Sequence, residues 1–290
     1  MIEGPIAVTG LGAIADRFDH VLLDQWGTLH EGRTIAPAAI DCVTKLRAAG
    51  KRVLALSNSG KRADANQRRL AALGLPAEAY DGVLSSGEVT WSGLRARERE
   101  PFKDLGQACF LITRDHDRSI IAGLDLGLVD DVRDADFILL GGLDDAAAEP
   151  EQWRDCLTMA AMHDVPMLCA NPDLVMFAAA GGLIPAPGAQ AAFYQSLGGK
   201  VTYVGKPHAP IFEAALARLG HPDPGRVLVV GDSLDHDIAG GRAAKMLTAL
   251  IRSGVHRPAL ADAADLPQAI LKLAGSDART PHWTLQHLTW

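Results

Sequence analysis

The chain has 290 residues, 48% of them hydrophobic, which suffices for one large or two modest cores, and usual domain sizes favour two. Thirty-five acidic against 28 basic side chains leave a net charge of −7, which argues against a general affinity for nucleic acid or anionic membranes. Met1 to Pro5 lacks a signal-peptide pattern and no later run approaches the roughly 20 apolar residues that span a bilayer, so a cytoplasmic protein with no membrane partner is expected.

The first motif is Thr9-Gly10-Leu11-Gly12-Ala13-Ile14-Ala15, a dinucleotide-like G-x-G-x-x-A pattern after apolar Ile6 to Val8. The next strand begins at Val21, too soon for the crossover helix of a βαβ unit, so no dinucleotide site is assigned. Val21 to Leu23 reads as a strand ending in Asp24, followed by the turn Gln25-Trp26-Gly27-Thr28-Leu29. Pro37 to Ala49 reads as a helix, with Pro near its start, apolar Ile40, Val43 and Leu46 at helical spacing, and Gly50 as its stop. Val53 to Leu56 completes a βαβ unit, and a second helix runs from Ala63 to Leu73 before Gly74.

Beyond the charged stretch Arg95 to Glu100, Cys109 to Thr113, Phe137 to Leu140 and Met167 to Cys169 read as strands and Pro150 to Met162 as a helix. Arg114-Asp115-His116-Asp117-Arg118 resembles a metal cluster in composition, but consecutive side chains at a strand exit diverge, so it reads as a charged loop or as a contact to substrate. The remaining core strands are Tyr203 to Val204 with its lead-in, Val227 to Val230 and Leu247 to Ile251, with a helix from Pro210 to Gly220 among them. The tail after Ser276, with Trp283 and Trp290, is expected to pack on the core or on a second subunit, and homo-oligomerisation stays open. Cys42, Cys109, Cys156 and Cys169 show no paired spacing and are taken as reduced thiols.

Strands alternating with helices indicate an α/β fold with a largely parallel sheet. The simplest organisation is a core of residues 1–88 and 202–290 with an inserted domain at 89–201.

Several side chains then gather at strand ends. Asp24 follows the first core strand, at the sheet edge where open α/β folds bind ligands. Asp232 ends the apolar run Val227 to Gly231 in the same way, and Asp237 follows at a helix start, either as an N-cap or as support for a metal site. Two strand-end carboxylates repel unless a cation lies between them, and their hard oxygens suit Mg²⁺. Ser57-Asn58-Ser59-Gly60 brings a hydroxyl and backbone N–H groups to the same edge, able to cradle phosphate oxygens. Lys206 offers a point charge for the nucleophile and the transferred group.

Asp24, Ser57, Lys206 and Asp232, in that order, resemble the four motifs of the haloacid dehalogenase superfamily. The large insert resembles a type C2 cap, and Asn171-Pro172-Asp173 with Gly205-Lys206-Pro207 is similar to class IIA, the group of nitrophenylphosphatase-like and sugar phosphatases. The resemblance runs from about Val21 to Met246. It implies a Rossmann-like core with an α/β C2-type cap, Mg²⁺, a small phosphorylated metabolite as partner, and a phosphoaspartyl intermediate on Asp24. It further implies that Asp24, the carbonyl of Trp26 and Asp232 hold the metal, that Ser57, Asn58 and Lys206 bind the phosphoryl group, and that Asn171 and Asp173 face substrate from the cap.

Position 26 departs from the family pattern, which has an acid/base aspartate there. The indole of Trp26 donates a hydrogen bond but exchanges no proton near neutral pH. His30 and Glu31, just behind, are the nearest substitutes by sequence, though each also reads as a solvated loop residue. Three activities follow: a slow or specialised phosphatase, carbon–halogen or carbon–phosphorus hydrolysis on the same scaffold, or binding of a phosphorylated metabolite without turnover.

Overall fold

Residues 4–177 and 182–290 are described by the structure, a computed structural model. The first part of the chain supplies β1 (Ile6–Ala7), β2 (His20–Asp24), β3 (Arg52–Ser57) and β4 (Val83–Ser85). The middle supplies β5 (Ala108–Ile112), β6 (Gly127–Leu128), β7 (Phe137–Leu140), β8 (Met167–Cys169), β9 (Val175–Phe177), β10 (Leu183–Pro185) and β11 (Val201–Tyr203). The last part adds β12 (Val227–Gly231), β13 (Leu247–Ile251) and β14 (Trp283–Leu285).

Two compact units result, one from Met1–Ser57, Asp64–Leu84 and Lys206–Trp290, the other from Asn58–Ala63 and Ser85–Gly205. The second unit thus takes in the loop Asn58–Ala63, which follows β3 in the chain.

The first unit is built on a seven-stranded sheet, ordered β1-β14-β13-β12-β2-β3-β4. β2 lies parallel between β12 and β3, with Leu23 opposite Val230 on one side and Asp24 opposite Leu56 on the other. Both faces of these strands are covered, so Val21 to Leu23 and Val227 to Val230 are buried without alternation, as central parallel strands require. The helix Pro37–Ala48 starts with Pro in its first turn and buries Ala39, Cys42, Val43 and Leu46. Ile40, expected on that face, is half-buried at its flank. Together these elements make a Rossmann-like α/β core.

The two ends of the chain meet in this unit. β14 pairs in parallel with β13 and with β1, so the tail that read as polar packing contributes a strand. Leu11 N–H donates to Thr289 O at 2.9 Å, and a Cβ on Gly10 would lie 2.2 Å from the Trp290 backbone oxygen. The Gly10 and Gly12 pattern therefore serves close approach of the C-terminus.

The second unit carries a five-stranded sheet, β11-β8-β7-β5-β6, and a two-stranded antiparallel pair, β9 and β10. Its core gathers Ile138, Leu140, Leu157, Met167 and Tyr194, whose hydroxyl donates to Val165 O at 2.6 Å. One expected core strand is corrected here: Val201–Tyr203 pairs with Met167–Cys169 in this sheet. A short apolar run does not reveal which sheet it joins, and the half-buried side chains of β11 suit an edge position. Among the described residues no helix is long and apolar enough to cross a membrane.

Candidate active site

β2 and β12 are parallel neighbours, so their carboxyl ends open at the same edge of the sheet. Asp24 is the last residue of β2 and Asp232 immediately follows β12. Asp237 joins them from the single π-helical turn Leu234–Ile238. Each of the three offers an oxygen within 4.8 Å of the others, and all three are buried. Lys206, 2% exposed, brings Nζ to 2.5 Å from Asp24 Oδ1 and 2.7 Å from Asp237 Oδ1.

The N-cap reading of Asp237 is corrected: Ser233 caps the turn by accepting from His236 N–H at 3.2 Å. Asp237 instead accepts from Lys206 and from Ser233 N–H, and its carboxyl packs so closely on Gly231 that a Cβ there would lie 2.0 Å from Cγ.

Asp232 is held by backbone. Val255 N–H donates to its Oδ2 at 2.8 Å. Gly27 and Gly254 press on the same carboxylate, since a Cβ would come within 2.0 Å and 2.1 Å of Oδ2 respectively. Neither Gly254 nor Val255 stood out in the sequence, where the only hint is that they follow β13, the strand beside β12.

Burial raises the carboxyl of Asp232 to about 7, helped by Asp237 and opposed by Val255 N–H and Lys206. Burial likewise pushes Asp24 well above the carboxylate range; Lys206 pulls it down, while Asp237 and Asp232 push it further up. Burial opposes the charge on Lys206, but Asp237 and Asp24 outweigh it and hold the ammonium above its usual range. Three carboxylates thus share one ammonium, and the cluster is short of positive charge.

The turn after Asp24 is tied to itself: His30 N–H donates to Gln25 O at 3.0 Å and Gly27 N–H to His30 O at 2.9 Å. Trp26 is 43% exposed, its ring meeting that of His30 edge-on with centroids 5.6 Å apart. Gly32, at φ +91°, lies under the indole, where a Cβ would come within 2.6 Å of the ring. His30 is buried, which corrects its reading as a solvated residue. Its Nδ1 accepts from Gly32 N–H at 3.1 Å, so the neutral ring carries its proton on Nε2, which is buried without a hydrogen-bond partner. Burial first, and Arg69 second, depress His30 to about 4. Glu31 is exposed.

Ser57 ends β3, on the other side of β2. In the second unit, Asn58 Nδ2 donates to Asp173 Oδ1 at 2.8 Å, and Asp173 N–H donates to Asn171 Oδ1 at 3.0 Å. A Cβ on Gly205 would sit 2.6 Å from both Asn58 Oδ1 and Pro172 Cδ. Asn58, Asn171 and Asp173 therefore form one hydrogen-bonded group. Cys42, Cys109 and Cys169 are free thiols that burial pushes up to about 12, which leaves them unreactive.

A haloacid dehalogenase-like hydrolase family model matches residues 21–127, and a second, HAD-hydrolase-like model matches residues 203–274. A haloacid dehalogenase-like hydrolase of known structure from Brucella suis 1330 is 31% identical, covering 97% of this chain and 100% of its own, with a TM-score of 0.80. The chain belongs to the haloacid dehalogenase-like hydrolase family. Chronophin from Bos taurus is 28% identical over 95% of this chain and 92% of its own length. The sugar-phosphatase AraL from Bacillus subtilis (strain 168) is 28% identical over 81% of this chain and 83% of its own. Phosphatases are among the relatives of this hydrolase.

Proposed function

We propose that the protein is a Mg²⁺-dependent phosphatase of a small, sugar-phosphate-like monoester, working through a phosphoaspartyl intermediate on Asp24. The observation that carries this is the buried cluster of Asp24, Asp232 and Asp237, which among the described residues is compensated by Lys206. Such a set of hard oxygen donors, lacking positive charge, fits a magnesium ion, which Asp24, Asp232 and the Trp26 carbonyl would hold. When bound, the ion offsets the negative charge that otherwise keeps a carboxylate and a phosphate ester apart.

Lys206 orients Asp24 Oδ1 and binds the phosphoryl oxygens together with Ser57. Asp237 fixes Lys206 in turn. The ionised carboxylate of Asp24 attacks phosphorus, and the P–O bond to the alcohol breaks with its electron pair leaving on that oxygen. Water then attacks the phosphoaspartate, giving inorganic phosphate and restoring the carboxylate. Trp26 supplies no proton to the departing oxygen. The buried His30, with Nδ1 taken and a low pKa, is a better support for the indole than a base, so proton transfer falls to solvent and turnover is slow. Loss of a positioned acid/base costs typically about 10²- to 10⁴-fold, a fraction of what phosphatases achieve.

Incubation with Mg²⁺ and a panel of sugar, polyol and aryl phosphates tests this reading. Steady phosphate release that Asp24→Asn abolishes is expected. Ligand binding without release or a phosphoprotein would mean a binding protein instead.

A further inference from the structure

The carboxylate of Asp232 is held by the loop that follows β13, and that loop is itself fastened to the end of the chain. Arg252 N–H donates to Leu285 O at 3.0 Å and Ser253 N–H to Gln286 O at 3.1 Å, so the loop begins as an extension of the β13–β14 pairing. Two residues later Val255 N–H reaches Asp232 Oδ2 at 2.8 Å. Val255 is 62% exposed, so its backbone makes this contact while its side chain contributes little packing.

The next residue, His256, turns back on the same segment. Its Nε2 accepts from Leu234 N–H at 3.1 Å. Adjacent loop residues thus grip the stretch Asp232 to Leu234 at both ends, one by donating and the other by accepting. Leu234 opens the π-helical turn that carries Asp237, and the first N–H groups of such a turn have no partner within it. Nearby, the short helix Arg257–Leu260 buries Leu260 in one apolar cluster with Leu234, Ile238 and Leu250. That packing keeps loop and turn together but is non-directional, whereas the two hydrogen bonds set their register.

An acceptor at Nε2 requires a neutral ring with its proton on Nδ1. Burial lowers the His256 pKa, Asp235 opposes the shift and Arg279 adds to it, so the ring is neutral at pH 7.

We propose that His256 is a positioning residue for Asp232 as a magnesium ligand, acting through the paired bonds from Leu234 N–H to Nε2 and from Val255 N–H to Oδ2; this rests on the Mg²⁺ reading above. Without the ring acceptor the loop is free to slide along the turn, and Val255 N–H no longer stays on Oδ2. Groups that orient a metal ligand are worth about 10- to 100-fold in affinity. His256 acts through its neighbour, so the lower end, about tenfold, is expected.

The test uses the full-length protein, with His256→Leu to remove the acceptor and His256→Gln to place an oxygen where Nε2 stands. Titration calorimetry measures Mg²⁺ affinity, and NMR follows amide hydrogen exchange in the metal-free protein. His256→Leu should bind Mg²⁺ about tenfold more weakly. Its Val255 amide should exchange about tenfold faster, the worth of one hydrogen bond, while Leu54 in β3 exchanges as in the wild type. His256→Gln should stay within about threefold of the wild type in both respects. Unchanged affinity and Val255 exchange in His256→Leu, or equal losses in the two variants, overturn the assignment. Equal acceleration at Leu54 and Val255 also overturns it, since that marks general destabilisation. If the wild type binds no Mg²⁺ but Val255 exchange responds as stated, the positioning role stands and the magnesium reading falls. Should His256→Leu not fold, nitrogen-15 NMR of the wild-type ring decides: a proton on Nδ1 supports the assignment and one on Nε2 overturns it.

Discussion

Gly27 and Asp232 meet backbone to carboxylate: a Cβ on Gly27 would lie 2.0 Å from Asp232 Oδ2. The turn that follows Asp24 is thereby laid directly on the second strand-end carboxylate. Gly27 also has φ +80°, a conformation that a side chain makes costly. Gly27→Ala must displace Asp232, and Val255 N–H and Gly254 leave that carboxylate no second position. We expect Mg²⁺ affinity, read by titration calorimetry, to fall about 10- to 100-fold, as for other residues that orient metal ligands. Unchanged affinity in a folded variant would separate Asp232 from metal binding.

Lys206 is bonded to both Asp24 and Asp237. Lys206→Met leaves buried carboxylates uncompensated, for which the expected loss is about 3–5 kcal/mol. Thermal unfolding should show a lower Tm, and millimolar Mg²⁺ should recover more of it in the variant than in the wild type. An unaltered Tm would mean that Lys206 neutralises nothing.

His30 gives a pH dependence. Its folded pKa, about 4, lies below the ordinary value of 6.5, so between these values the unfolded chain binds the extra proton. The stabilisation is complete above pH 6.5 and is lost as pH falls toward 4. At about 1.4 kcal/mol per pKa unit, the loss reaches roughly 3 kcal/mol. Denaturant titrations from pH 7 to 4.5 should show a shallower decline for His30→Phe than for the wild type. Parallel declines would place the titration elsewhere.

Trp26→Asp restores a carboxyl where the indole now stands. Its ring rests on Gly32 and the edge of His30 and is 43% exposed, so the smaller side chain costs little packing. Turnover on p-nitrophenyl phosphate should rise, by up to about 10²- to 10⁴-fold. No gain in a folded variant would show that the missing acid/base is not what limits this enzyme.

The central strands were readable because continuous apolar runs such as Val227 to Val230 have few other uses in a chain of this composition. Asp24 and Asp232 were legible for the same reason, each being the first polar residue to leave such a run. Less visible was what depends on contacts between distant segments. The placement of Val201–Tyr203 in the second sheet rests on its partner Met167–Cys169. Gly10 and Gly12 looked like a nucleotide loop because nothing local announces that Trp290 packs against them. Asp237 carries the signature of a helix cap, and only the approach of Lys206 from another part of the chain gives it a second use. Burial of His30 follows from the closed turn around Gln25, which composition does not encode.

The most direct measurement is mass spectrometry of acid-quenched protein after brief exposure to Mg²⁺ and a phosphate ester, with borohydride trapping to locate the acyl phosphate. The account predicts a single phosphoryl adduct on Asp24 that decays as inorganic phosphate appears, and that Trp26→Asp shortens its lifetime. Phosphate release with no adduct at Asp24, or an adduct on another residue, would contradict it.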